Sequence, residues 1–233
     1  RDAQESRGLG DVYKRQFLIL RKITSIRIVI RMKSEIAKFE KKLKKYLDKE
    51  RFIHTQGVMY TAAALAMAHG ADMEKARLAG LLHDCAKCIP NKKKWKLCDK
   101  YHILLSECEQ QNLFLIHAKL GVAIAREKYE IQDEEILSAI RWHTTGKDNM
   151  TDLEKIVYIA DYIEPQRDKA PNLEWIRKVA FMDLNEGMYY ILKDSLSYLG
   201  RSGRTIDPAT EKAFHYYETM HLAKRGKEKN NHE

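Results

Sequence analysis

Apolar residues recur at the spacing of an α-helix along almost the whole chain from Met32 onward. Ile36, Phe39, Leu43 and Leu47 form one such stripe on a segment otherwise rich in Lys and Glu. Only 11 Gly and 4 Pro interrupt the 233 residues, and a fold of short strands needs more turn residues than these. The pattern therefore predicts an all-α protein.

Capping and stop signals locate the predicted helices. Asp72 is a candidate N-cap, Thr151 and Glu154 match a capping box, and Asp207-Pro208 places a cap before a first-turn proline. These signals and the apolar spacing predict helices at 52–68, 72–87, 113–129, 133–143, 151–164, 172–199 and from 207 onward. We expect a break near Gly187, and a solvated loop at the lysine-rich run 92–96.

Residues 1–31 differ in pattern from the rest of the chain. They hold eight Lys or Arg against three Asp or Glu, which is more than half of the formal net charge of +9. Because they lack a sustained helical period, we interpret them as a leader, an expression remnant or a mis-assigned start outside the fold, with a mitochondrial-type presequence as the alternative. Residues 32–220 are then predicted to form one domain, and 221–233 a polar tail.

Composition argues against several classes of protein. The apolar runs 17–20 and 28–30 adjoin basic residues and are too short to cross a bilayer, so we expect no membrane partner. Basic residues are not interleaved with aromatics on one arm or helix face, so we expect no nucleic-acid partner, with an RNA-binding protein as the weaker alternative. The four cysteines (Cys85, Cys88, Cys98 and Cys108) contain one C-x-x-C without a second pair, which favours reduced thiols in the cytoplasm over a zinc site.

The most unusual local feature is the pair His83–Asp84 at the end of an apolar helix. An ionised Asp is rarely buried without a partner, and a metal cation is one such partner. Because each carboxylate oxygen can face a different cation, Asp84 is the candidate for a bridging ligand. The alternative is a surface pair that caps the C-terminus of the helix.

Four other predicted helices each carry one further ligand-type residue. Asp161 interrupts the apolar run Ile156–Ile163, where a solvated helix face does not explain it. The complete set of four is His54, His117, His143 and Asp161. Such side chains projecting inward from facing helices form the metal sites of helical bundles, and their nitrogen and oxygen atoms suit iron, manganese or zinc.

Four segments with these residues carry a resemblance to a known family. They are Arg51–His54, Ala79–Lys87, Ile140–Gly146 and Glu154–Arg167. Together they resemble the motifs of the bacterial YqeK family, HD-domain symmetrical diadenosine tetraphosphate hydrolases, over about Met32 to Tyr217. Thr55, where Ser is frequent in the family, and Cys85, in place of an aliphatic residue, are departures that remove no ligand.

The resemblance implies a fold, a metal centre and an activity. The fold is an HD-domain helical bundle with a metal site in its core. His54, His83, Asp84 and Asp161 would hold one divalent transition metal, with iron favoured over manganese or zinc. His117 and His143 would face a second metal or the phosphates of the substrate. The implied reaction is cleavage of diadenosine tetraphosphate into two ADP by a metal-activated water, in a protein for which a homodimer is one option.

Further residues are assigned roles from their positions near these ligands. Asp84 and Lys87 are the candidate catalytic residues, and Lys87 would neutralise charge on the phosphoryl group or, alternatively, interact with the dipole of its helix. Thr144, Thr145 and Gly146 are predicted to bind phosphate, or alternatively to be an ordinary helix stop. Arg167 is also predicted to bind phosphate, with a surface salt bridge to Glu164 or Asp168 as the alternative.

Three aromatic residues, Trp142, Tyr158 and Tyr162, are candidates for contact with a base, although helical spacing favours core positions for them. Two alternatives to the predicted activity stay open. The first is an HD phosphohydrolase acting on a nucleoside monophosphate or a cyclic nucleotide. The second is a non-catalytic nucleotide-binding module, which would bind its ligand tightly without turnover.

Overall fold

The computed structural model describes residues 35–203 and 205–230 of the chain. The chain divides after Lys42 into two units. In the first unit residues 35–42 are helical, and Ile36 and Phe39 of the predicted apolar stripe are buried. The predicted leader 1–31 lies outside the described residues.

The second unit is a succession of helices joined by short connections. In chain order they are α1 Lys49–His69, α2 Met73–Leu82, α3 Asn91–Lys100, α4 Glu107–Gln111, α5 Ile116–Tyr129, α6 Glu134–Trp142, α7 Asp152–Ile163, α8 Leu173–Ala180, α9 Leu184–Arg201 and α10 Pro208–Asn230. The described residues contain no β-strand, which confirms the all-α prediction. Within the same residues, no helix combines the length and the apolar character needed to cross a membrane.

The predicted caps are present. The Asp72 carboxylate accepts hydrogen bonds from the first-turn backbone N–H groups of α2, and Asp133 does the same for α6. Thr151 and Glu154 form a complete capping box at the start of α7. These polar side chains satisfy N–H groups that have no partner inside the helix, and so they set where α2, α6 and α7 begin.

Several segments differ from the predictions. The helix predicted at 72–87 ends at Leu82, and Glu107–Gln111 forms a helix for which the sequence analysis made no prediction. The lysine-rich run 92–96 belongs to α3, and Lys94 is buried because its ammonium group donates to the carbonyl of Leu113 at 3.3 Å. The segment 172–199 is interrupted at Asp183, which caps α9, and not at Gly187. Gly187 instead permits close packing, since a Cβ there would lie 3.3 Å from the Cα of Ala180 in α8.

The helices α2 and α7 lie at the centre of the second unit. Helix α2 packs on α1, α6 and α7, while α7 also packs on α8 and α9. Gly80 allows α2 to approach α1 closely, because a Cβ at this position would lie 3.1 Å from the Cα of Met59. Leu81 and Leu82 are fully buried, which contributes about 1.5–3 kcal/mol each. This packing leads α2 into the interior just before His83 and Asp84.

Candidate metal centre

Five segments bring the predicted ligands to one place. The side chains come from α1 (His54), the end of α2 (His83 and Asp84), α5 (His117), the end of α6 (His143) and α7 (Asp161). His83 and His117 are completely buried, and Asp84 is 1% exposed. The His54 Nε2 and Asp161 Oδ1 atoms, which belong to helices distant in sequence, lie 3.0 Å apart.

Asp84 presents its two oxygens to different histidines. Its Oδ2 lies 3.4 Å from His83 Nε2 and 3.9 Å from His54 Nε2. Its Oδ1 lies 3.1 Å from His117 Nε2 and 3.6 Å from His143 Nε2. The carboxylate therefore stands between two groups of nitrogen ligands, as a bridging ligand would.

We call the two groups the Asp161 side and the His143 side. The Asp161 side consists of His54, His83, Asp161 and the Oδ2 atom of Asp84. The His143 side consists of His117, His143 and the Oδ1 atom of Asp84. Ligand atoms of His54, His83 and Asp161 all lie within 4.8 Å of one another, and the same holds for His83, Asp84 and His143.

Hydrogen bonds fix which ring nitrogen of each histidine faces the cluster. Nδ1 of His83, His117 and His143 lies 2.6, 2.5 and 2.7 Å from the carbonyl oxygen three residues earlier. A carbonyl only accepts, so Nδ1 donates and Nε2 of the neutral ring carries a lone pair. A metal-binding histidine is oriented in this way, by a hydrogen bond at its other nitrogen.

His54 is oriented by Glu164, a residue for which the sequence predicted only a surface role. The Nδ1 atom of His54 lies 3.0 Å from Glu164 Oε1, and Glu164 is 1% exposed. Glu164 Oε2 accepts a hydrogen bond from the backbone N–H of Gln166. Gly57, one turn after His54, leaves room for this carboxylate, since a Cβ there would overlap Glu164 Oε2. In the sequence, the signal for this role is the position of Glu164 as an acidic residue at the end of an apolar helix.

The donor atoms of the Asp161 side fit a cation. Within the described chain, His54 Nε2 and His83 Nε2 of this side are buried and find no hydrogen-bond partner, and the same is true of Asp84 Oδ1 on the His143 side. Two of these atoms are lone-pair nitrogens that face carboxylate oxygens, an arrangement that is repulsive unless a positive charge lies between them. Histidine nitrogen and carboxylate oxygen are also the ligands that iron, manganese and zinc accept.

The electrostatics of the cluster agree with this fit. Burial opposes the ionisation of Asp84 and Asp161, yet the surrounding histidines and basic groups hold the pKa of both carboxyls well below the usual range. Burial also disfavours a charged His83, but Asp84 and Asp161 outweigh it and raise the pKa of His83. The negative charge that would retain a proton there would equally retain a metal cation.

On the His143 side the histidines are neutral. Burial, followed by the charge of Lys87, lowers the pKa of His117 to about 4. Burial also lowers the pKa of His143. The Lys87 Nζ atom lies 3.2 Å from His117 Nε2, and Thr144 Oγ1 lies 3.0 Å from His143 Nε2. Both lone pairs therefore have a donor from the protein itself.

Three cationic side chains touch the carboxylates of the cluster. Arg51 Nη1 donates to Asp84 Oδ2 at 2.8 Å, and Lys87 Nζ lies 3.7 Å from Asp84 Oδ1. Arg167 Nη2 donates to Asp161 Oδ1 at 2.7 Å, in place of the predicted alternative partners. The side chains of Arg51 and Arg167 are 29% and 41% exposed, so both also reach solvent beside the ligands.

The predicted phosphate-binding turn lies partly at the cluster. Thr144 contacts both histidines of the His143 side. Thr145 is buried and donates to the carbonyl of Gly146. Gly146 adopts φ +66°, a conformation that glycine tolerates best, and it packs near Tyr158. Thr144 faces the ligands, while Thr145 and Gly146 shape the turn behind it.

The aromatic candidates for base contact have other neighbours. Tyr158 is 6% exposed and belongs to the core. Trp142 packs under the guanidinium group of Arg141, 4.4 Å from its ring centre. Tyr162 is half-buried. The cysteines Cys85, Cys88, Cys98 and Cys108 are free thiols, and the metal clusters of the described residues contain none of them.

Comparison with known proteins identifies relatives across most of the chain. Residues 51–166 match the HD domain family. The symmetrical bis(5'-nucleosyl)-tetraphosphatase of Bacillus subtilis (strain 168) is 39% identical over 168 residues, which cover 72% of this chain and 89% of that protein. The enzyme of the same name from Staphylococcus aureus (strain NCTC 8325 / PS 47) is 35% identical, with coverage of 78% and 94%.

A solved structure has the same fold. It is a predicted HD superfamily hydrolase involved in NAD metabolism from Clostridium acetobutylicum, and it is 38% identical to this chain. The superposition has a TM-score of 0.76 and covers 79% of this chain and 97% of that one. The similarity therefore extends over nearly the full length of these relatives.

Proposed function

The chain belongs to the HD-domain family of symmetrical bis(5'-nucleosyl)-tetraphosphatases, and on that premise we propose that it hydrolyses diadenosine tetraphosphate to two ADP. One observation carries the proposal. The Asp84 carboxylate presents one oxygen to each of two histidine groups inside a buried site that is bordered by basic side chains. This arrangement suits a substrate with several phosphates and a reaction that develops negative charge.

The Asp161 side would hold the first divalent metal through His54, His83, Asp84 and Asp161. A divalent cation in such a site lowers the pKa of a water molecule and polarises a phosphoryl oxygen. The His143 side would hold a second metal more weakly. Its histidines are neutral and their Nδ1 protons are already used, so the Nε2 lone pairs repel phosphate oxygens and suit a cation instead.

The remaining residues handle the substrate. Asp84 Oδ1 accepts a hydrogen bond from the attacking water and orients it. The water oxygen forms a bond to one of the two inner phosphorus atoms, and the bond from this phosphorus to the central bridging oxygen breaks. One proton of the attacking water passes to the bridging oxygen that leaves with the second ADP, and the water oxygen stays on the first. Lys87 and Arg167, with the Thr144 hydroxyl, hold the phosphates, while Thr145 and Gly146 support them from the turn.

The test combines metal analysis with product analysis. We expect metal-loaded protein to convert diadenosine tetraphosphate to ADP alone, with oxygen from labelled water in half of the ADP molecules. Asp84→Ala should lose metal and reduce kcat about 10³-fold or more while it stays helical. Asp99→Asn, at an exposed site on α3, is the matched carboxylate control and should retain full activity.

Three results would overturn the proposal: no turnover by metal-loaded protein, AMP and ATP as products, or full activity of metal-loaded Asp84→Ala. Turnover of a nucleoside monophosphate or a cyclic nucleotide in place of the dinucleotide would favour the alternative HD phosphohydrolase. Iron as the metal, a cytoplasmic location and a homodimer stay predictions, and elemental analysis and sedimentation test the first and the last.

A further inference from the structure

Phe114 is an exposed aromatic residue that contacts the metal centre. It lies just before α5, the residue is 56% exposed, and the sequence analysis assigns it no role. Its ring centroid lies 5.6 Å from that of His117, with the ring planes 64° apart. Exposed apolar side chains are common on protein surfaces, so exposure alone assigns nothing to it. Phe114 differs from other exposed apolar residues because its ring contacts His117 and Lys87.

Lys87 joins the Phe114 ring to the cluster. The Lys87 Nζ atom lies 3.7 Å from the centre of the ring, a distance at which a cation is attracted to an aromatic face. The same atom lies 3.7 Å from Asp84 Oδ1. One ammonium group therefore separates the ring from the bridging carboxylate, so a phosphate held by Lys87 places its nucleoside near Phe114.

The backbone of Phe114 is part of the same assembly. Its carbonyl accepts the hydrogen bond from His117 Nδ1 that orients this ligand, and its N–H donates to Asn112 Oδ1 at 3.3 Å. The backbone of Phe114 is thus hydrogen-bonded to His117, a candidate metal ligand. A rigid aromatic surface beside an anion-binding group is suited to stack a nucleobase.

We propose that Phe114 is the platform on which a purine base of the dinucleotide stacks while the adjoining phosphates lie against Lys87. Lys87 covers one part of the ring, and the exposed remainder receives the base. The inference rests on the proposed function, because it assigns the base-binding residue of that same site. It also explains why the exposed ring lies beside a cluster otherwise formed by polar and charged groups.

Direct binding of two probes separates base contact from phosphate contact. ADP carries a base and inorganic pyrophosphate does not, and calorimetry on the metal-loaded protein measures both without turnover. We expect Phe114→Ala to raise the Kd of ADP about tenfold or more, and to change the Kd of pyrophosphate less than about twofold. Metal content, measured before and after titration, should stay unchanged. Phe114→Trp should retain ADP affinity, whereas Phe114→Leu should lose it.

Phe181→Ala is the matched control, because Phe181 is another exposed phenylalanine, 43% exposed, between α8 and α9. It should leave both constants unchanged. An equal loss of ADP and pyrophosphate affinity in Phe114→Ala would mean that the ring only positions Lys87, and would overturn the proposal. Unchanged ADP affinity, or no ADP binding by the unmodified protein, would overturn it too. Failure to cleave diadenosine tetraphosphate, by contrast, would refute the proposed reaction and leave this binding test intact.

Discussion

The two sides of the cluster share Asp84 but differ in how their lone pairs are satisfied. On the Asp161 side, His54 Nε2 and His83 Nε2 lack a hydrogen-bond partner among the described residues and face carboxylate oxygens. On the His143 side, Lys87 and Thr144 already offer donors to the two histidines. Asp84 Oδ1, the remaining atom of the His143 side, has no hydrogen-bond partner among the described residues. The difference therefore lies in the histidines, and it indicates that those of the Asp161 side need a cation more than those of the His143 side.

Charge strengthens this contrast. The Asp161 side combines its own carboxylate with one oxygen of Asp84, and Glu164 lies directly behind His54. The His143 side has two neutral histidines and the ammonium group of Lys87, whose pKa is lowered because it is buried. On the Asp161 side, Arg51 and Arg167 offset part of the negative charge, but both side chains also reach solvent. On the His143 side a cation meets one oxygen of Asp84 and must displace or neutralise the more buried Lys87. We infer one tight and one weak site.

Metal titration of two variants tests this inference most severely. Asp161→Ala should abolish the tight site, because it removes a charged ligand from the side whose lone pairs lack donors. His143→Ala should retain one tightly bound metal per chain and lose the weak one, with affinities in the unmodified protein differing about tenfold or more. Elemental analysis after dialysis against a weak chelator measures the tight site, and calorimetry measures the weak one.

His215→Ala, at an exposed histidine on α10, is the control for the loss of an imidazole. Its metal content should match that of the unmodified protein. If His143→Ala lost the tight metal and Asp161→Ala retained it, the assignment of the two sides would be reversed.

A smaller effect is expected from the support of His54. Glu164→Gln keeps the size of the side chain but removes the charge that orients the imidazole, so metal affinity at the Asp161 side should fall about 10–100-fold. Gly57→Ala should reproduce this loss with Glu164 still present, because its methyl group displaces the carboxylate. Competition with a fluorescent chelator measures the affinity, and a structural role alone predicts lower thermal stability with unchanged metal affinity.

Glu186→Gln provides the control for the same chemical change at a different histidine. Glu186 accepts from His221 Nδ1 at 2.8 Å on α9 and α10, outside the cluster. We expect it to leave metal affinity unchanged. Equal losses in Glu164→Gln and Glu186→Gln would show that general destabilisation, and not the orientation of His54, is responsible.

The ligands could be predicted from the sequence because each is a polar residue in an apolar helical segment. Asp161 interrupts a run whose other members are buried or half-buried, and His83 and Asp84 end a helix whose leucines are buried. Helical periodicity and caps also located most helices, since both act over a few residues. Local patterns therefore sufficed for the helices and for the types of ligand.

The supporting residues could not be predicted because their roles arise from tertiary contacts. Glu164 lies 110 residues from His54 along the chain, so no spacing rule connects them. Gly57 gains its role only when that glutamate packs over it. Phe114 looks like any apolar residue before a helix, and only the folded chain places Lys87 over its ring. Arg51 lies 33 residues from Asp84 along the chain, so only the structure identifies the two as partners.

The smallest expected effect concerns Arg167, one of two arginines that contact carboxylates of the Asp161 side. Arg167 is partly exposed and bound to Asp161, so it can turn towards a phosphate only by exchanging one anion for another. We therefore expect Arg167→Ala to raise the KM for diadenosine tetraphosphate about three- to tenfold with a smaller change in kcat, a loss typical of one exposed charged hydrogen bond. Arg167→Lys should recover part of it. Steady-state kinetics at saturating metal measures both constants. An unchanged KM would show that Arg167 binds Asp161 and not the substrate. The two sides would then differ in their metal ligands and not in a phosphate contact from this arginine.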